Sequence, residues 1–146
     1  MEIEQGAPVS YSQSIEINAS IQTIWKIMTD IENWPSWNED IKSATLNGKL
    51  TIGTTFTWKS GPGTITSTLE AVNKPNLLGW SGKLFGIKAV HIWKIKSVKG
   101  KSIVTTEESW SGLYASLFKR RSKKTLIKAI DTGLNRLKSA AEYSRK

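Results

Sequence analysis

The sequence predicts an α+β fold, a curved seven-strand antiparallel sheet wrapped around a long C-terminal helix, with two short helices between strands 1 and 2. Three patterns carry that prediction. Residues 9 to 17, VSYSQSIEI, alternate between two faces with the period of a half-buried strand. Between residues 54 and 110, short strand signals recur between the turns SGPG, NKPN, FG and KG, which reads as an antiparallel meander. From about Leu113 the apolar spacing changes to three and four, the period of a helix.

Each element follows in order. Strand 1 sets Tyr11, Gln13, Ile15 and Ile17 on one face and Ser10, Ser12, Ser14 and Glu16 on the other. In NASIQTIWKIMTD, Asn18 or Ser20 can cap a helix whose apolar stripe is Ile21, Ile24, Trp25 and Met28. IENWPSWNED holds a second short helix or turn, broken at Pro35. Residues 41 to 46 form a weak strand. The strands TTFTWK (54–59), TITSTLEAV (64–72), LLGWSGKL (77–84), IKAVHIWKIKSV (87–98) and KSIVTTEESW (101–110) complete the sheet. In the C-terminal helix, Leu113, Leu117 and Phe118 begin an apolar run that continues through Ile127, Ile130, Leu134, Leu137 and Ala141. The block KRRSKK at 119–124 interrupts that face and is the place for a bend. A sheet with one apolar face needs a cover, and only the long helix is large enough. A strongly curved sheet around one helix leaves space between them, a candidate ligand cavity.

Composition narrows the chemistry. The 146 residues fit one domain, 1–146, able to bury a core without staples. There is no cysteine and one histidine, so disulfides, thiolate metal sites and multi-histidine sites are excluded. No D-x-D-x-D-G, G-x-S-x-G, P-loop or G-x-G-x-x-G run occurs, so neither a metal nor a cofactor is expected. No apolar run approaches the roughly 20 residues of a membrane span. The start MEIEQGAPVSYSQ lacks the basic and apolar regions of a signal peptide, so the expected location is cytoplasmic. The net charge is +9, and residues 113 to 146 hold ten Lys and Arg against two acids, so +8 of it lies there.

Parity and turn registers predict which side chains face the cavity. In 87–96 the even positions carry Lys88, Lys94 and Lys96, so that face is wet and Ile87, Ala89, His91, Trp93 and Ile95 point inward. A two-residue loop at Lys99-Gly100 pairs Val98 with Lys101 and puts His91 opposite Glu108, and Trp93 opposite Thr106. A similar loop at Phe85-Gly86 puts Trp80 opposite His91, and Leu78 opposite Trp93. Trp80, His91 and Glu108 then form one row across the inner face, which Trp110, Leu69, Ile65, Phe56 and Trp58 share. A one-residue slip would turn His91 or Glu108 outside. An inward Glu beside the only His reads three ways: a polar anchor for a ligand, a general acid/base pair, or a mutually satisfied structural pair.

The segments IEINASIQTIWKIMTDIENWPSWNEDI, TTFTW, LLGWSG, AVHIWKI, VTTEESWSG and LNRLKSAAE, in this order, resemble the SRPBCC superfamily. Its fold is the helix-grip of START lipid-binding domains and the birch-pollen allergen, and the chain looks most like the bacterial polyketide cyclase/dehydrase members. The W-P-x-W element of Trp34 to Trp37 is the most specific part, and the likeness covers roughly residues 9 to 143. It implies a cavity for a hydrophobic small molecule between sheet and C-terminal helix. It does not imply one chemistry, because the superfamily includes carriers, hormone sensors and cyclases.

The candidate ligand-contacting residues are Trp34, Trp37, Phe56, Trp58, Leu69, Leu78, Trp80, His91, Trp93, Glu108, Trp110 and Leu117, with His91 and Glu108 as the candidate catalytic pair. Each tryptophan on the inner face is either core or cavity wall, and Trp25 is core. Trp34 and Trp37 can close the sheet's open end, one as a plug and one at the mouth, or simply anchor the helix pair. The basic residues Lys119, Arg120, Arg121, Lys123 and Lys124 form either a solvated helix face or a contact for anionic lipid headgroups. No recognised nucleic-acid-binding motif accompanies them, so nucleic acid is not an expected partner. The expected function is binding or transport of a hydrophobic, aromatic or lipid-like molecule. The alternatives are a cyclase/dehydratase-type enzyme using His91 and Glu108, and a lipid-handling protein that docks on membranes through its basic helix.

Overall fold

The computed structural model describes residues 1–144. Its seven strands are β1 (Val9–Ile17), β2 (Ile41–Leu46), β3 (Thr55–Ser60), β4 (Gly63–Asn73), β5 (Leu77–Leu84), β6 (Ile87–Val98) and β7 (Lys101–Ser111). They form one antiparallel sheet in the order β1-β7-β6-β5-β4-β3-β2, so the meander ends beside the first strand. Helix α1 (Ile21–Thr29) and a 3-10 helix (Ile31–Ser36) connect β1 to β2, and α2 (Leu113–Leu117) and α3 (Lys119–Ser144) follow β7.

Turn chemistry sets the register. Phe85 and Gly86 have φ of 49° and 72°, and Lys99 and Gly100 have 51° and 81°. Two successive positive φ values make the tight hairpin loop whose twist matches the flanking strands. Leu84 therefore pairs with Ile87, and Val98 with Lys101. The row Trp80–His91–Glu108 forms as the turns predict. Ser20, not Asn18, caps α1, its side chain accepting from the Thr23 amide at 3.1 Å. Pro35 lies inside the 3-10 helix and does not break it.

The core lies between the inner sheet face and α3. Leu126, Ile130, Leu134, Leu137 and Ala141 of α3 are buried with Ile17, Leu78, Ile95 and Val104 of the sheet. Helix α3 rests chiefly on β1. The Tyr11 hydroxyl donates to Asp131 at 3.0 Å, and Lys138 donates to the Glu16 carbonyl at 2.9 Å. At the other side, Arg136 reaches Asn38 at 2.7 Å and Asp40 at 2.8 Å, which ties the loop after the 3-10 helix to α3.

Two details depart from the pattern reading. The helical break falls at Phe118, ahead of the basic block, so the block forms the first turns of α3 rather than a bend within one helix. The even face of β6 is not uniformly wet, because Ile92 is fully buried there. Its neighbour in register is Gly79, and a Cβ on Gly79 would fall 2.3 Å from the Met1 sulfur. The N-terminal segment thus covers part of the outer face, and the Glu4 amide donates to Ser109 Oγ at 3.0 Å.

Candidate functional site

The curved sheet and α3 enclose a cavity of about 640 Å³. That volume falls within the roughly 300–1,000 Å³ range of small-molecule sites. Nine of the expected residues border it: Trp34, Trp37, Trp58, Leu78, Trp80, His91, Trp93, Glu108 and Trp110. Alternation of the strands puts them there, since Leu78 and Trp80, His91 and Trp93, and Glu108 and Trp110 each lie two apart on one face.

Three expected residues do not border it. Phe56 is fully buried behind the wall, with the Trp34 and Trp80 rings each edge-on at 5.5 Å. Leu69 is fully buried beside Trp80, its partner in register. Leu117 is 67% exposed, because the short helix α2 buries Ala115 and turns Tyr114 to the cavity instead.

The tryptophans divide by role. Trp34 is a plug: it is buried, its Nε1 donates to the Met28 carbonyl at 2.9 Å, and its ring packs against Phe56, Trp58 and Trp80. Trp37 is half-buried on the cavity wall. Trp58 donates to Ser67 Oγ at 3.1 Å. Trp80, His91 and Trp93 run along the wall with successive ring centroids 4.8 and 5.3 Å apart. Offset and edge contacts of this kind stabilise beyond the area they bury. Asp40, Pro62, Phe85, Arg121, Thr125 and Ala129 border the cavity while remaining exposed, so they outline its opening between α3 and the strand turns.

The polar row is fully engaged. His91 Nδ1 lies 2.8 Å from Glu108 Oε1, and His91 Nε2 lies 2.7 Å from Thr106 Oγ1. The other Glu108 oxygen accepts from the Trp110 indole N–H. Both ring nitrogens and both carboxylate oxygens thus have a partner within the protein, which fixes the orientation of His91 and Glu108 on the wall.

Several wall residues fall outside the sequence expectation. Gly82 shares the parity of Leu78 and Trp80, and a Cβ there would come 2.7 Å from Ser67 Oγ, so its smallness leaves room. Tyr114, Ser122 and Gly133 come from the helices. Ser122 precedes the buried Leu126 and Ile130 at intervals of four, a signal that its polar side chain obscured. Among the described residues no cluster of His, Asp and Glu could hold a metal ion, and no helix is long and apolar enough to cross a membrane.

Fold and site together define a helix-grip domain, an antiparallel sheet closed around one helix with a cavity between them. The chain belongs to the polyketide cyclase/dehydrase and lipid transport family, which it matches over residues 8–142. Solved structures are similar throughout. A hypothetical protein from Helicobacter pylori superposes with a TM-score of 0.83 at 15% identity, covering 95% of this chain and 91% of that one. A START superfamily protein from Mycobacterium smegmatis gives 0.80 at 14% identity, covering 92% and 97%. The di-domain ARO/CYC protein StfQ of the steffimycin biosynthetic pathway gives 0.77 at 12% identity, covering 94% of this chain and 51% of that one. At these identities the likeness shows the fold alone. No curated protein matches the chain in sequence.

Proposed function

We propose that this domain binds and carries a hydrophobic, aromatic or lipid-like small molecule in the cavity between sheet and α3. The observation that carries the reading is a cavity of about 640 Å³ walled by tryptophan rings, with its one His–Glu pair already satisfied by Thr106 and Trp110. Aromatic walls hold flat apolar molecules by stacking and by the large area each ring covers. A cyclase or dehydratase would need His91 or Glu108 to exchange a proton with its substrate, and their existing partners stand in the way. A cytoplasmic setting fits a carrier and is checked by cell fractionation.

The test is native mass spectrometry after exposing the protein to an extract of its source cells. A retained species of a few hundred daltons supports the reading and identifies the molecule. Chemical conversion of that molecule by the protein, abolished in His91→Ala, would replace the carrier reading with the enzymatic one. No retained species, while a control pocket protein keeps its own, would defeat both.

One feature favours membrane docking as a second reading. Phe85, Leu113, Leu117 and Phe118 are large, apolar and exposed, and they lie next to Lys119, Arg120, Arg121, Lys123 and Lys124. Phe85 and Arg121 also border the cavity opening. An apolar edge flanked by cations beside the opening suits uptake or release of a ligand at an anionic bilayer.

A further inference from the structure

The charges bordering the cavity are unevenly matched. Besides His91, the charged residues there are Asp40, Lys83, Glu108 and Arg121. Both acids have partners within the protein. Arg136 Nη1 lies 2.8 Å from Asp40, and Glu108 is held by His91 and the Trp110 indole. Among the described residues, neither Lys83 nor Arg121 enters an ion pair. Lys83 has the outward parity of β5 and pairs in register with Lys88. Arg121, exposed on α3, is therefore the unmatched charge presented at the opening.

Arg121 also borders a groove on the other side of α3, where Lys119, Arg120, Lys123 and Lys124 face Ala7, Pro8 and Ser10. No acid borders that groove. Lys123 donates to the Ser10 carbonyl and lies over the Tyr11 ring, while Lys119, Arg120 and Lys124 enter no ion pair among the described residues. The placement works against the helix. Cations in the first turns meet the positive end of the macrodipole, and the first turn of α3 holds no acid to offset it. Lys119 and Lys123, and Arg120 and Lys124, are also like charges four residues apart, a spacing that repels. A local rule broken without compensation inside the protein points to function. We infer that the ligand is a hydrophobic acid: its apolar body lies among the tryptophans, and its ionised oxygen group meets the Arg121 guanidinium at the opening. The inference rests on the binding function proposed above and names the chemical class of the ligand. A guanidinium presents a planar fork of donors that fits a carboxylate. The four neighbouring cations add a positive field that draws the acid to the opening.

The test uses two fluorescent probes with one apolar body, 1-pyrenebutyrate and 1-pyrenebutanol, titrated into the full chain in water at low salt. The acid is expected to bind about tenfold more tightly, the lower end for a charge-assisted hydrogen bond because Arg121 is exposed. In Arg121→Gln the preference should fall to within about twofold while affinity for the alcohol holds. Arg121→Lys keeps the charge without the fork and should retain part of the preference. The double variant Lys119→Gln/Lys124→Gln should weaken binding of the acid at low salt and not at high salt, the mark of a field rather than a contact. The alcohol should displace the acid, which places both in one cavity. Acid that the alcohol cannot displace sits on the basic surface alone, and that result overturns the inference. Equal affinity for the two probes, or a preference unchanged in Arg121→Gln, would also overturn it and leave the carrier function standing. Binding of neither probe by folded protein would overturn both.

Discussion

Thr106 Oγ1 lies 2.7 Å from His91 Nε2, on the side of the ring opposite Glu108. The three residues thus repeat the hydroxyl–imidazole–carboxylate order of a nucleophilic triad. Burial decides against that use. Thr106 is fully buried and is not part of the cavity wall, so no substrate reaches its oxygen. The relationship fixes the imidazole plane instead, which holds the His91 ring between those of Trp80 and Trp93.

The brace can be separated from a chemical role by substitution. Thr106→Val keeps the shape and removes the hydroxyl, and it is expected to lower stability by about 1–3 kcal/mol. Ligand affinity should stay within about twofold for Thr106→Val and fall by no more than about tenfold for His91→Ala. Urea unfolding and ligand titration measure the two quantities. A hundredfold loss of ligand response in stable Thr106→Val would show that the hydroxyl acts on the ligand.

Trp34 and Trp37 stand three residues apart yet should respond oppositely to phenylalanine. Trp34→Phe strands the Met28 carbonyl that Nε1 now serves and is expected to cost about 1–2 kcal/mol. Trp34→Ala also opens a hole beside Phe56 and Trp80 and should cost about 3–5 kcal/mol. Trp37→Phe removes an unpaired N–H and should be neutral or slightly stabilising without ligand. Parallel denaturation curves check this, and equal losses for the two phenylalanine variants would contradict the division into plug and wall.

How much of this was legible in the sequence follows from the length scale of each signal. The Trp80–His91–Glu108 row was readable because two-residue loops at Phe85-Gly86 and Lys99-Gly100 transmit register without ambiguity. Strand parity also placed Trp58, Trp93 and Trp110 correctly. Parity tells face, not depth, so Phe56 and Leu69 could not be distinguished from wall residues before Trp34 and Trp80 were seen lying over them. The apolar spacing runs Leu117 into one continuous helix, whereas the break at Phe118 turns it outward. The hydroxyl of Thr106, the partner of His91 Nε2, lies opposite Trp93 in register and reaches His91 only diagonally. Met1 lies over Gly79, the partner of Ile92 in register, a contact between distant parts of the chain that no local pattern announces.

Backbone geometry at the entry to α2 gives a sharper prediction. Gly112 has φ 101° and ψ 178°, a region open essentially to glycine alone. An added Cβ would fall 2.3 Å from the Gly86 carbonyl oxygen, which is backbone and cannot swing aside. Gly112→Ala is expected to cost about 2–4 kcal/mol. Gly86→Asn, at φ 72° with nothing nearer than 3.9 Å, should cost about 1 kcal/mol or less. Thermal unfolding of the pair checks the contrast, and equal melting temperatures would show that α2 shifts to relieve the clash.

The last prediction concerns the edge beside the opening. Leu113 and Leu117 are 72% and 67% exposed, so the double variant Leu113→Ser/Leu117→Ser should change stability by less than about 0.5 kcal/mol. If that edge docks on bilayers, the same variant should lose association with vesicles. Arg120→Gln with Lys124→Gln should weaken it further, at about 1 kcal/mol per cation and therefore by roughly tenfold or more for the pair. Co-sedimentation with vesicles of graded anionic lipid content separates the contributions. The charge variants should matter only when anionic lipid is present, and the serine variants at every composition. Association that ignores anionic content would remove the basic block from the mechanism, leaving Lys119 through Lys124 as a solvated helix face over a cavity that exchanges its ligand directly with water.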